Sequence, residues 1–230
     1  MNNLITVVIP CKNEGKAIGD IIKLVLTNNP KVKIIIADSS DDDITLQVIQ
    51  KYSKLYPTRI EIVEGGLPSV ARNNGAKLVI TEYVLFLDAD MYVQPNTISE
   101  CLEEAMIKNL DLITCKLTTD KPYRWVYKLF NTVQQITSLS RPFAVGGFML
   151  FKTETLNQLG GFNEKDKIAE DYHLSSKIKP NKFKVANHVI YTSSRRFRKK
   201  GVWYMIKLMI HCWINRNDET FYQKDYNYWI

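Results

Sequence analysis

The chain is expected to fold as one α/β domain with a mostly parallel central sheet flanked by helices. Three observations predict this. Short apolar runs alternate with helical patterns through the first 115 residues, which is the pattern of βαβ units. The runs stop at polar or acidic turns, where ligand sites lie in open α/β sheets. A length of 230 residues with 45% hydrophobic and 24% charged residues allows one domain with a substantial core.

In chain order the expected elements are a strand at 5–9, a helix at about 15–27, a strand at 32–37, a helix at about 43–56, a strand at 60–63, a helix at about 68–79, a strand at 83–87, a helix at about 95–108 and a strand at 110–115. Pro95 opens its helix at a position where a missing N–H costs little. Asp43 or Ser69 can cap the helix beside it by accepting from free backbone donors. After Cys115 the alternation stops, and Thr118 to Leu139 is rich in Tyr, Trp, Lys and Gln without a clean amphipathic period. A strand follows over Phe143 to Phe151 with Gly146-Gly147 inside it, then helices over Thr153 to Leu159 and Ala169 to Ile178, and a strand over Phe183 to Tyr191. No repeat, low-complexity stretch or linker divides the chain.

Asp88-Ala89-Asp90 ends the apolar run Tyr83-Val84-Leu85-Phe86-Leu87. On an extended chain, residues i and i+2 project to one side, so Asp88 and Asp90 can together hold a hard divalent cation, Mn²⁺ or Mg²⁺, and through it a phosphate ligand. An isolated Asp-x-Asp is more often a solvated turn. Its company changes the reading: Pro10-Cys11-Lys12-Asn13-Glu14 after the first strand, Asp38-Ser39-Ser40-Asp41-Asp42 after the second, Ala71-Arg72-Asn73-Asn74-Gly75, and Glu170-Asp171 after Gly160-Gly161-Phe162-Asn163-Glu164.

These five motifs, in this order, resemble the family 2 glycosyltransferases of the GT-A fold from about residue 4 to about residue 200. One departure is the turn after the second strand, where the family more often shows Asp-Asp-Gly-Ser. The resemblance implies a Rossmann-like nucleotide-sugar-binding half over 1–115, an acceptor and catalytic half over 116–200, and a C-terminal helix and tail over 201–230. It implies a UDP- or GDP-sugar donor, a glycan or a polyprenyl- or dolichyl-linked acceptor, and inversion at the anomeric carbon. Pro10, Asn13, Glu14, Asp38, Arg72, Asp88, Ala89, Asp90 and Gly147 then lie at the nucleotide sugar, with Asp88 and Asp90 on the metal. Asp171 becomes the catalytic base and Glu170 a supporting acceptor.

Read as residues alone, several positions stay open. Asn13 and Glu14 suit a helix cap as well as a ribose, and Asp38 a turn as well as a base N–H. Arg72 can stack on a base or fork onto phosphate, Gly75 reports close helix packing, and Gly146-Gly147 fit a bulge as well as a sugar floor. Glu170-Asp171 suit a helix N-terminus. His188 is a candidate further metal ligand, against the commoner role of a packed or surface histidine.

The net charge of +7 favours anionic partners. Arg195-Arg196-Phe197-Arg198-Lys199-Lys200 sets five cations ahead of a helical pattern, where they oppose its dipole, so Arg195 and Arg196 are candidate phosphate or acceptor contacts. From Val202 to Ile214 an apolar face carries Trp203, Ile206, Ile210 and Trp213, with Lys207 and His211 opposite. That face suits either an anionic membrane surface or ordinary packing on the domain. No apolar stretch approaches the roughly 20 residues that span a bilayer. The N-terminus lacks a signal-peptide pattern and the four cysteines lack zinc or disulfide spacing, so a cytoplasmic protein with reduced thiols is expected, peripheral on the membrane if that helix binds lipid. The rival readings are a sugar-phosphate nucleotidyltransferase, which wants a glycine-rich loop where Pro10 to Gly15 stands, and a non-catalytic basic membrane- or nucleic-acid-binding module, which leaves the motifs unexplained. No nucleic-acid partner is expected.

Overall fold

The computed structural model describes residues 4–226; the expected N-terminal lead at 1–3 and the end of the tail at 227–230 lie outside the described residues. The strands are β1 (Ile5–Cys11), β2 (Lys33–Asp38), β3 (Ile60–Glu64), β4 (Tyr83–Leu87), β5 (Leu112–Thr118), β6 (Phe148–Lys152) and β7 (Phe183–Tyr191). They form one seven-stranded sheet in the order β3-β2-β1-β4-β6-β5-β7. β1 to β4 pair in parallel, as do β5 and β7, while β6 is antiparallel to both β4 and β5. The order reverses at β1, which lies between β2 and β4. Crevices for ligands open at such a point, outside the C-terminal ends of the strands.

The helices are α1 (Gly15–Asn28), α2 (Asp43–Leu55), α3 (Pro68–Ala76), α4 (Thr97–Ile107), α5 (Arg124–Thr137), α6 (Thr153–Gln158), α7 (Glu170–Ser175), α8 (Arg195–Lys200), α9 (Val202–Ile214) and α10 (Glu219–Tyr222). Both faces of the sheet are covered, as parallel strands require. One layer joins Val7, Ile9 and Leu85 to Ile18, Ile22 and Val25 of α1. The other joins Val8, Ile35, Val84 and Phe86 to Phe151, Phe162 and Leu174. Every residue of β4 is buried, which is why that run is apolar without alternation.

Several expected boundaries move. β1 runs on through Pro10, which pairs with Ala37 beyond the last β1–β4 register pair at Val8, so its missing N–H interrupts no ladder with β4. The cap of α2 is Asp42, not Asp43: its side chain accepts from Thr45 N at 2.8 Å. Ser69 caps nothing and lies inside α3, whose first residue is Pro68. α4 begins at Thr97, two residues past Pro95, and α7 ends at Ser175, short of Ile178. Gly146-Gly147 precede β6 instead of lying within it.

The segment from Thr118 to Leu139, expected to lack a clean amphipathic period, contains α5. Its period is present: Val126, Phe130 and Gln134 recur every four residues on the buried side. Arg124, Lys128 and Gln135 are exposed on the far side, and the exposed apolar Trp125, Leu129 and Ile136 lie beside the buried face and widen it. The basic run is itself helical, forming α8, and Gly201 (φ 82°) breaks it from α9. Arg198, Lys199 and Lys200 therefore stand in the last turn of α8, where cations are favoured, while Arg195 and Arg196 open that helix and still oppose its dipole.

Gly75 packs α3 directly on β1: a Cβ there would stand 2.3 Å from Val8 Cγ1. Replacing a helical glycine by alanine ordinarily stabilises, but here overpacking dominates. Gly75→Ala is expected to cost about 1–3 kcal/mol, read as a lower urea midpoint with an unchanged slope.

Candidate active site

The site grows from the ends of β1, β2 and β4. After β1 the chain turns at Asn13 (φ 54°), and its side chain locks the neighbouring turn. Asn13 Oδ1 accepts from Asp41 N at 3.0 Å, Nδ2 donates to Asp41 Oδ1 at 2.6 Å, and the Asn13 backbone N–H donates to Ser40 Oγ at 2.9 Å. Asp38 in turn accepts from Ser40 N and Ser40 Oγ. Thus the turn that lacks the usual glycine is held by side chains, with the Asn13 amide and one oxygen of Asp38, Oδ1, engaged in it.

Arg72 is the centre of the site. It comes from the second turn of α3, is only 1% exposed, and reaches three segments at once. Nη1 donates to Glu170 Oε1 at 2.6 Å, and Nη2 donates to Asp88 Oδ1 at 2.8 Å and to Gly146 O at 3.4 Å. Its guanidinium also lies 5.5 Å from the centre of the Phe162 ring. So engaged, it fixes the carboxylates around it while lining the cleft where the nucleotide is expected. Burial weakens an arginine's hold on its proton, but Asp88, Glu170 and Asp171 outweigh that and push its pKa above the usual value.

Asp171 is partly exposed and doubly anchored: Oδ2 accepts from Gly146 N at 2.7 Å and Oδ1 from its own helix at Tyr172 N, also 2.7 Å. Burial raises its pKa, against the pull of Arg72 and the two N–H donors. Burial likewise drives Glu170 upward while Arg72 opposes, and with the guanidinium at 2.6 Å Glu170 is its ion-pair partner. Of the two glycines, Gly146 is the one the carboxylates need. A Cβ there would lie 2.8 Å from Arg72 Nη2 and 3.3 Å from Asp171 Oδ2. Gly147 serves by its carbonyl, which accepts from Asp88 N at 3.3 Å, and by making room for Met91.

In front of Arg72 opens a cleft of about 490 Å³. Pro10, Glu14, Arg72, Asp88, Ala89, Asp90, Arg195 and Arg196, all expected at the site, line it. Asp90 carries a pKa of about 6, raised by burial and by the nearby charges of Asp88 and Glu14, and eased by Arg195 and Arg196. Arg195 Nη2 donates to Glu14 Oε1 at 2.9 Å and lies 4.0 Å from Asp90 Oδ2, spanning the cleft from wall to acidic floor. Among the described residues no three His, Cys, Asp or Glu side chains converge as a closed metal cage. His188 sits elsewhere, its Nε2 3.1 Å from Glu100 Oε2 in a separate groove beside α4.

Residues not foreseen complete the far wall: Tyr127 from α5, Thr192 and Ser193 after β7, and Phe197 from α8. Phe197 stacks on Tyr123 and meets Tyr127 edge-on, joining α8 to α5. Tyr127 stands one residue after Val126 on the inward side of α5, so the four-residue period of Val126, Phe130 and Gln134 was the signal that could have found it. Asn73 contributes behind the cleft, bonding both the N–H and the carbonyl of Phe162 and so tying the Gly160-Gly161 loop to α3.

A mostly parallel sheet with one antiparallel strand inserted beside β4, and carboxylates at the end of β4, is the architecture of GT-A glycosyltransferase domains. The model of glycosyl transferase family 2 matches residues 6–160, and the chain belongs to that family. A mannosyltransferase from Pyrobaculum calidifontis, solved with GDP-Man and Mn²⁺, superposes with a TM-score of 0.70 at 20% identity over 91% of this chain and 65% of that one. TarS of Staphylococcus aureus with UDP superposes at 0.64 and 21% identity over 84% of this chain and 60% of that one. Among curated relatives, the Staphylococcus aureus poly(ribitol-phosphate) beta-N-acetylglucosaminyltransferase TarP is 33% identical over 54% of this chain and 39% of its own length. Chondroitin synthase of Escherichia coli is 26% identical over 82% of this chain and 28% of its own. The chain thus spans well under half the length of these two relatives.

Removing Arg72 would strand the buried Glu170 carboxylate. Arg72→Met is expected to lower stability by about 3–5 kcal/mol, and Arg72→Met with Glu170→Gln to recover a large part of that loss, measured by urea denaturation.

Proposed function

We propose that the protein transfers a sugar from a UDP- or GDP-sugar, with inversion, to a glycan or lipid-linked acceptor. The observation that carries this is the pairing of Asp88 and Asp90 at the C-terminal edge of β4 with Asp171, linked through Arg72 and Gly146. The nucleotides bound by TarS and the mannosyltransferase support the donor class, and the polymer-building relatives support a glycan acceptor.

A divalent cation fits the donor set. Asp88, Asp90 and Glu14 are hard oxygen donors; Asp90 is raised first by burial and then by the charges of the other two, and a cation would relieve that repulsion. Asp88 and Asp90 would hold it, with water and phosphate oxygens completing the shell since no closed cage exists among the described residues. When bound, it supplies neutralisation of the charge that grows on the leaving diphosphate. The chain's own residues do the rest. Arg72 holds Asp88 by one oxygen, Oδ1. Arg195 and Arg196, on the opposite wall, face phosphate with two further cations. Asp171 is oriented by two backbone N–H groups and raised by burial toward the range useful to a general base, so it takes the proton of the attacking hydroxyl.

Nucleotide binding should therefore need both the cation and an ionised Asp90. By calorimetry UDP or GDP is expected to bind far more weakly in EDTA than in Mn²⁺, and the Mn²⁺-dependent affinity to fall as pH drops through about 6. The sign follows from the raised pKa: the folded protein holds this proton more tightly than the unfolded chain, so Asp90 favours folding below its ordinary range and that contribution is lost as pH rises to about 6. Equal affinity with and without metal would refute the cation site.

Asp171→Asn preserves size and keeps an acceptor for the Gly146 N–H. Nucleotide affinity should stay within a few-fold while transfer to a hydroxyl acceptor falls by about 10²–10⁴, measured as product formed per enzyme at saturating donor. Near-normal turnover would remove Asp171 as the base.

A further inference from the structure

We infer that α5 and α9 together form a platform that docks on an anionic phospholipid bilayer. Each helix leaves an apolar stripe uncovered. On and after α5, Trp125, Leu129, Val133, Ile136 and Leu139 are exposed, at helical spacing beside the buried Val126 and Phe130. On α9, Trp203 is 74% exposed, and Ile210, Trp213 and Ile214 are exposed with it. No residue of α9 is buried; Leu208, Met209 and Cys212 only lean on the domain. Of the apolar face expected to meet either a membrane or the core, Met209 leans on the domain, while Trp203, Ile210, Trp213 and Ile214 are left outside.

The two helices are linked through the segments that flank them. Tyr127 near the start of α5 meets Phe197 of α8, just ahead of α9, and Arg141 after α5 donates to Asn217 Oδ1 and Arg216 O after α9.

Charge selects the occupant. Residues 121–141 and 195–216 hold eleven of the 31 Lys and Arg and none of the 24 Asp and Glu, leaving 20 cations against 24 carboxylates elsewhere. The positive excess of the chain is thus confined to the segments that carry the apolar stripes. A second copy meeting this face would set cations against cations with no carboxylate from these segments between them. An anionic lipid surface accepts both features, with tryptophan at the headgroup level and lysine and arginine toward the phosphates. Since no described helix is long and apolar enough to cross a membrane, the contact is interfacial. Tyr127 of α5, Phe197 of α8 and Met205 of α9 all line the cleft wall, so the cleft borders the platform. The inference does not depend on the transfer chemistry.

The test is co-sedimentation of the full chain with vesicles of phosphatidylcholine alone or with phosphatidylglycerol, at low and high salt. Binding is expected only with phosphatidylglycerol and to weaken with salt. Lys199→Ala and Lys207→Ala should each weaken it by about fivefold. Leu129→Glu combined with Trp203→Glu should abolish it while circular dichroism stays unchanged, since both residues are exposed. Absence of pelleting at low salt, or binding that survives the glutamate pair, overturns the platform. A dimer seen by light scattering and dissolved by the same pair, without vesicle binding, assigns the face to a second copy and overturns it equally.

Discussion

The buried guanidinium of Arg72 holds together segments that are far apart in the chain. It joins α3 to Asp88 at the end of β4, to the Gly146 carbonyl before β6, and to Glu170 at the start of α7. Gly146 then passes the constraint to Asp171 through its N–H. A buried ion pair of this kind contributes little net stability, because the cost of removing the charges from water offsets most of the attraction. What it supplies is position. With one oxygen of Asp88, one of Glu170 and both of Asp171 already engaged, these carboxylates have few alternative orientations, and each departure leaves a buried charge unpaired.

The cleft beside this network is electrostatically divided. Its floor brings together Asp88, Asp90 and Glu14, where burial and then the neighbouring charges lift Asp90 to about 6, and its wall supplies Arg195 and Arg196. Arg195 bridges the division by pairing with Glu14. The aromatic cluster of Tyr123, Tyr127 and Phe197 keeps the wall in place and connects it to the apolar surface of α5 and α9.

The alternating half of the chain was readable because its signals are local. Strand runs buried on both sides are apolar throughout, and the turns after them have acidic or proline-containing chemistry, so β1 to β5 fall within a few residues of expectation. Gly75 was readable for the same reason: a glycine inside a helical pattern marks close packing, and Val8 is what it packs against. α5 was not: the exposed Trp125, Leu129, Val133 and Ile136 lie directly beside its buried stripe and blur the edge of the apolar face, although its far side is polar. Boundaries at Pro95 and Gly146 also shifted, because a proline or glycine signals a break without saying on which side the element resumes.

The sequence by itself determined the α/β class, the family, and the residues that crowd the end of β4, since residue type and spacing suffice for these. Only the tertiary structure decided what each residue does. Arg72 and Glu170 are 98 positions apart, and nothing local indicates that one neutralises the other inside the protein instead of facing a ligand. The Asn13 amide and one oxygen of Asp38 look like ligand acceptors in sequence and hold the turn between β2 and α2 once the chain is folded. The physical reason is common to all of them: a polar side chain's role is set by which partner reaches it first, and for long-range partners that is a property of the packed sheet.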